Sequence, residues 1–196
     1  MAETRIIDSA DALYQVLADS QLFANVERTA SGTVTVCYDK AGNAVLRTNG
    51  VYEIVFYGDA NHGIPSTSLG SVTHAYLCSG GVILTKYYET NMHRIYVLTK
   101  TNTGEPAMIV LNVNNQSWNA VAWGDAAPFQ DRVLQPLTDH QYALMPYVTH
   151  AVFGVNSYTP DAFYAAVWDG NMLPRTFHMH GTRWFAVGNA VLRDQE

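Results

Sequence analysis

The apolar residues of this chain change their spacing once, and that change limits the fold more than any other feature. Between Ala10 and Leu17 they recur at three, four and seven residues (Ala10, Leu13, Val16, Leu17), the period of one helix face. Asp8 or Ser9 stands where an N-cap is needed. Asp8 and Asp11 sit where the helix dipole favours negative charge, and the pattern stops near Asp19-Ser20. From Thr33 onward the spacing becomes two, or the residues gather in short β-branched and aromatic runs. One short amphipathic helix cannot cover so much strand surface, so the core must form mainly between sheets.

The pattern predicts strands near 33–38, 44–48, 51–57, 72–78, 82–88, 94–100, 106–112, 118–123, 147–155, 163–168, 175–180, 183–188 and 190–193. Turn chemistry separates them, and Asn49-Gly50 and Gly80-Gly81 are the strongest two-residue hairpin signals because they tolerate positive φ. Pro128, Pro136, Pro146, Pro160 and Pro174 point to edges and loops in the second half, and 125–141 reads as a long loop. The expected fold is mainly β: an antiparallel β-sandwich or duplicated β-meander with a short N-terminal α-helix. Residues 1–30 read as the helix and a connector in which Leu22, Phe23 and Val26 continue the packing. Residues 31–196 read as a β-rich body. A repeat suggests two similar units, about 33–90 and 94–196. Tyr52–Ala60 and Trp118–Ala126 both read aromatic, x, x, Val, x, aromatic, Gly-Asp-Ala, and each follows a strand, a Gly-containing turn (Gly42 or Gly104) and a second strand.

Charge and composition exclude several classes. The net charge is −6 and the pI is near 5.5, which opposes binding to nucleic acid, whose phosphates call for a basic face. No run approaches the roughly 18 apolar residues of a membrane-spanning helix, so no membrane insertion is expected. The opening MAETRIIDSAD lacks a basic stretch followed by an apolar one, so synthesis in a reducing compartment is expected. Cys37 and Cys78 each lie in an alternating apolar run and read as buried thiols, with a disulfide between neighbouring strands as the alternative.

Few residues carry a chemical signal. His178-Met179-His180 would place two imidazoles on one strand face, half of a metal site if His74, His140, His150 or a carboxylate completed it, or if a three-fold axis did. The bland alternative is two polar residues on the solvent side of an edge hairpin. Asp59 and Asp125 end the repeat-like strands and read as ordinary turn carboxylates, with calcium or acid–base roles as the sharper option. Nucleophile elbow, P-loop, dinucleotide fingerprint and HExxH helix are all missing. The aromatic load is more telling: twelve Tyr, four Trp and seven Phe. Tyr87, Tyr88, Trp118, Trp123, Trp168 and Trp184 stand near strand ends or turns, where exposed rings stack on sugars or anchor interfaces. Three Lys against eight Arg, within a charged content of only 14%, agrees with large contact surfaces.

The short N-terminal helix, the β-rich body, the Asn-, Thr-, Gly- and Tyr-rich turns, the scarce lysine and the closing stretch Gly181–Arg193 together resemble accessory structural proteins of tailed-phage virions. Decoration proteins, head fibres and tail or baseplate adhesins form that group. The resemblance implies a non-enzymatic subunit without a cofactor, made in the bacterial cytoplasm and assembled onto the virion. Its partners would be other virion proteins, further copies of itself (a trimer being one option) and a host-surface glycan. The N-terminal helix would then serve attachment or oligomerisation, or simply cap an open end of the β core. Two other functions stay open: a monomeric carbohydrate-binding module, and a small metal-dependent enzyme built on His178 and His180.

Overall fold

The computed structural model describes residues 2–58, 66–88, 91–100, 104–112, 117–122, 174–179, 181–187 and 190–194. The elements run β1 (Glu3–Ile6), α1 (Ala10–Asp19), β2 (Asn25–Arg28), β3 (Val34–Tyr38), β4 (Ala44–Asn49), β5 (Glu53–Phe56), β6 (Thr67–Leu69), β7 (His74–Cys78), β8 (Gly81–Tyr88), β9 (Asn91–Lys100), β10 (Pro106–Asn112) and β11 (Ser117–Ala122), then β12 (Arg175–Met179), β13 (Thr182–Val187) and β14 (Ala190–Arg193). All the strand pairs are antiparallel. The fold is therefore mainly β with a short N-terminal helix, as the spacing predicts. The strands expected at 147–155 and 163–168 and the loop at 125–141 lie outside the described residues.

The described residues form three sheets: a 6-stranded sheet in the order β1-β7-β8-β9-β10-β11, a 5-stranded sheet in the order β2-β3-β4-β5-β6, and a 3-stranded sheet in the order β12-β13-β14. The two larger sheets and α1 share one buried cluster, the arrangement of a β-sandwich. Leu13, Val16 and Leu17 from the helix meet Cys37, Leu46, Ile54 and Phe56 from one sheet and Ala75, Val82, Leu84, Tyr96 and Leu98 from the other. Ser9 caps the helix by accepting a bond from the Ala12 amide, 3.2 Å. The apolar face of α1 is thus spent on closing the core. Its polar side holds β2, with Asp11 paired to Arg28 and Tyr14 under the same guanidinium at 5.2 Å.

Sequence and structure differ at several points. Segment 1–30, expected as helix and connector, also contains a strand of each large sheet, β1 before the helix and β2 after it. Strands β7 and β8 lie in the same sheet as β9, and the change of sheet falls between β6 and β7. The repeat-like runs β3-β4-β5 and β9-β10-β11 are both consecutive meanders. Gly42 (φ +87°) lies between β3 and β4, and Gly104 (φ +82°) lies between β9 and β10. The two runs diverge afterwards: β6 pairs onto β5, whereas among the described residues no further strand pairs onto β11.

Both expected hairpins form, with shifted loops. The β4–β5 loop holds three residues, Gly50, Val51 and Tyr52, because Asn49 faces Glu53. Val51 packs against the core, which draws it into the turn. In the β7–β8 hairpin the loop is Ser79-Gly80, since Cys78 faces Gly81. Gly81 opens β8 at φ +147°, and a Cβ there would lie 2.0 Å from the Leu98 carbonyl oxygen. Glycine is needed at this position for close backbone approach as well as for its φ. Gly81→Ala should therefore cost more than about 2 kcal/mol of unfolding free energy in urea, whereas Gly42→Ala, with only its φ to strain, should cost about 1 kcal/mol. Equal losses would contradict this account of the hairpin.

Candidate functional site

The 6-stranded sheet is covered on both faces at its centre, where β8 and β9 run. Along β8 and β9, Val82, Leu84, Tyr96 and Leu98 enter the shared core, while Ile83, Ile95 and Val97 on the opposite face are equally buried. On that second side Phe185 of the 3-stranded sheet meets Tyr76, ring centres 5.4 Å apart. The β7–β8 turn fastens the same sheet, because the Gly80 amide and the Ser79 hydroxyl both donate to the Arg193 carbonyl, 3.0 and 3.1 Å.

This packing decides the fate of the candidate residues. Trp184 is a correction: it is 8% exposed and lies beneath the Arg193 guanidinium, 5.8 Å from ring centre, so it offers no stacking surface. Its proximity to the Gly181-Thr182 turn suggested exposure, but β13 is buried on both faces from Trp184 to Val187. Trp118 lies on β11 opposite Leu111. Tyr87 and Tyr88 end β8 opposite Met92 and Asn91. Trp123, Trp168, His180, Asp59 and Asp125 lie outside the described residues, and so do His140 and His150.

His178 is exposed on β12. Its cross-strand neighbour is Arg183, whose Nε lies 3.2 Å from Oδ2 of Asp194. A guanidinium thus occupies the place beside His178, and the Asp194 carboxylate is engaged with that guanidinium. Among the described residues, no group of three or more His, Cys, Asp or Glu side chains could hold a metal ion. Asp194 is only 3% exposed and also accepts the Ala2 amide, 3.2 Å. One carboxylate therefore joins the first residues of the chain to its last strands. Removing one partner of such a buried pair leaves an uncompensated charge. Asp194→Ala should lower unfolding free energy by about 3–5 kcal/mol, against less than about 0.5 kcal/mol for His178→Ala. Comparable small losses would show that the carboxylate ties nothing down.

Cys37 and Cys78 are both free thiols. Burial pushes each thiol well above its ordinary range, and at Cys78 the nearby Asp194 carboxylate adds to the shift. The folded chain holds these protons while the unfolded chain releases them near the ordinary thiol pKa of about 8.5. Their stabilising contribution is complete below that pH and is lost as pH rises above it, with a limiting slope of about 1.4 kcal/mol per pH unit for Cys37. Urea unfolding between neutral and strongly alkaline pH should show this slope, and Cys37→Ala should flatten it. An unchanged profile would contradict the burial argument.

A polar pocket of about 210 Å³ lies between the end of α1 and the β7–β8 turn, lined by Ser20, Gln21, Leu22, Ser79, Gly80 and Lys100. Gln21 sits there at φ +56°. Both pocket serines already donate their hydroxyl protons to backbone carbonyls, Ser20 to Leu17 and Ser79 to Arg193.

The large apolar side chains exposed among the described residues are Ile6, at 67%, and Tyr52, at 80%. Tyr52 stands at the tip of the β4–β5 hairpin over Gly50, where a Cβ would come within 3.4 Å of its Cδ2. The Asn49-Gly50 turn signal locates this ring in the sequence, but turn chemistry alone does not say whether Val51 or Tyr52 faces solvent. In comparison with known proteins, the chain matches no family model, no curated protein and no solved structure.

Proposed function

We propose that this chain is a non-enzymatic structural or adhesive subunit of a bacteriophage virion, a capsid decoration, head-fibre or tail/baseplate protein. It works through contacts with other virion proteins and with host-surface glycan. The observation that carries this reading is Tyr52, a large aromatic side chain 80% exposed at the tip of a hairpin whose base is anchored in the core. An amphipathic ring with few rotatable bonds loses little entropy on contact, which suits it to a protein partner or a sugar face. The turn holds the ring in place before contact: the Gly50 amide donates to the Thr33 carbonyl at 2.8 Å, and the Tyr52 amide donates to Asn49 at 3.3 Å. The acidic balance and the scarcity of lysine also suit a surface that meets other proteins.

Phage particles purified from the source strain should contain the chain in stoichiometric amounts by quantitative mass spectrometry. Particles carrying Tyr52→Ala should assemble normally and lose about tenfold or more in host-cell binding or in retention of the subunit, the range of a contact hot spot. Absence of the chain from particles would overturn the reading. Glycan binding by the isolated monomer, lost on Trp118→Ala or Trp123→Ala, would establish the carbohydrate-binding module instead.

A further inference from the structure

We propose that the free edge of β1 is a two-fold contact at which two copies of this chain join their 6-stranded sheets into one. The contact stands on this edge alone and is independent of any role in a virion. Among the described residues, β1 is the outermost strand of its sheet, paired to β7 on one side only. In an antiparallel ladder, alternate residues direct both their N–H and C=O groups to the same neighbour. The Ile7 amide donates to the Thr73 carbonyl at 2.8 Å. With Glu3 facing Leu77 and Arg5 facing Ala75, this parity turns the backbone groups of Glu3, Arg5 and Ile7 toward β7. Ala2, Thr4 and Ile6 then turn theirs outward. The outward Ala2 amide is already engaged by Asp194, in keeping with that direction. Thr4 and Ile6 present their N–H and C=O groups at the open edge.

Edges of this kind are usually blunted by lysine, proline or a covering segment. Here the strand reads Glu-Thr-Arg-Ile, with an exposed Thr4 and with Ile6 67% exposed. An antiparallel pairing of two such strands centred on Thr4 uses the free outward groups and leaves the Ala2 amide with Asp194. Thr4 forms the reciprocal pair of backbone bonds at the axis, and the Ile6 amide can donate to the partner's Ala2 carbonyl. Glu3 falls opposite the partner's Arg5, and Arg5 opposite the partner's Glu3, so the Glu3–Arg5 pair that each chain already holds at 2.7 Å gains an opposite charge across the axis. Ile6 falls opposite the partner's Ala2, which covers part of its exposed surface. Centring on Arg5 instead would oppose two guanidinium groups and would need backbone groups already bonded to β7. Centring on Ile6 would leave Arg5 opposite a buried Ile7. A four-residue strand pair buries much less than the roughly 1,200 Å² of a standard stable interface, so the dimer is weak and depends on concentration.

Sedimentation velocity or light scattering, from low-micromolar to near-millimolar protein, tests the contact. The mass should rise reversibly from 21.7 kDa toward twice that value. Thr4→Pro removes the outward N–H at the axis without touching the ladder to β7, and should hold the mass at the monomer value. Glu3→Arg, which leaves the Arg5–Asp19 pair intact but removes the chain's own Glu3–Arg5 pair, should weaken association at least about tenfold by placing like charges opposite each other. An equimolar mixture of Glu3→Arg and Arg5→Glu chains should associate more tightly than either variant alone, because opposite charges then face each other only between chains, which loss of the intrachain pair does not explain. A chain that stays monomeric throughout, a closed trimer or larger ring, a dimer indifferent to Thr4→Pro, or a mixture no better than either single variant would each overturn the proposal. A folded Thr4→Pro chain is recognised by its unchanged thermal unfolding, and the charge series decides the matter if that variant does not fold.

Discussion

Strands β8 and β9 are buried on both faces, and the rest of the molecule is arranged to make that so. Every residue from Gly81 to Thr85 and from Ile95 to Thr99 is buried. A ribbon with two apolar faces needs a layer on each side. The 5-stranded sheet and α1 supply one. On the other, the 3-stranded sheet packs at Tyr76 through Phe185. Close backbone approach at the ribbon's end holds the layers in register. Gly81 lies against the Leu98 carbonyl, the Thr99 hydroxyl donates to the Gly80 carbonyl at 2.7 Å, and Gly80 in turn donates to Arg193.

Much of this was legible in the sequence for physical reasons that can be named. The runs Val82-Ile83-Leu84 and Ile95-Tyr96-Val97-Leu98 have no polar alternation, the mark of a strand covered on both sides. Alternation in β3 and the 3.6-residue period in α1 each follow from a single buried face. Strands β1 and β2 escaped because almost nothing in them is buried, so no period exists to be seen. Strand β6 is only three residues long, and its place is set by pairing with β5. Trp184 illustrates the opposite error. A tryptophan beside a turn looks exposed until the layer that covers it is known, and that layer comes from distant parts of the chain.

The chemistry-bearing residues follow the same logic. His178 looked like half of a metal site while its neighbours across the ladder were unknown. The register places Arg183 beside it and Asp194 on the far side of Arg183, so the row reads imidazole, guanidinium, carboxylate. The two thiols are held neutral by the core. Among the described residues, the large apolar side chains that the fold leaves in water are a ring at a hairpin tip and an isoleucine on the edge strand β1. The sandwich positions both: core packing of Val51 turns Tyr52 outward, and pairing with β7 aims alternate backbone groups of β1 away from the sheet.

Native-state hydrogen exchange resolved by residue tests the central layer most directly. If β8 and β9 are the covered ribbon on which the other layers depend, amides bonded in the ladder between Val82–Thr85 and Ile95–Thr99 will exchange only through global unfolding. The outward amides of Thr4 and Ile6 in dilute protein will exchange orders of magnitude faster. Comparable protection across edge and central strands, or faster exchange in β8 and β9 than in the 5-stranded sheet, would contradict the account.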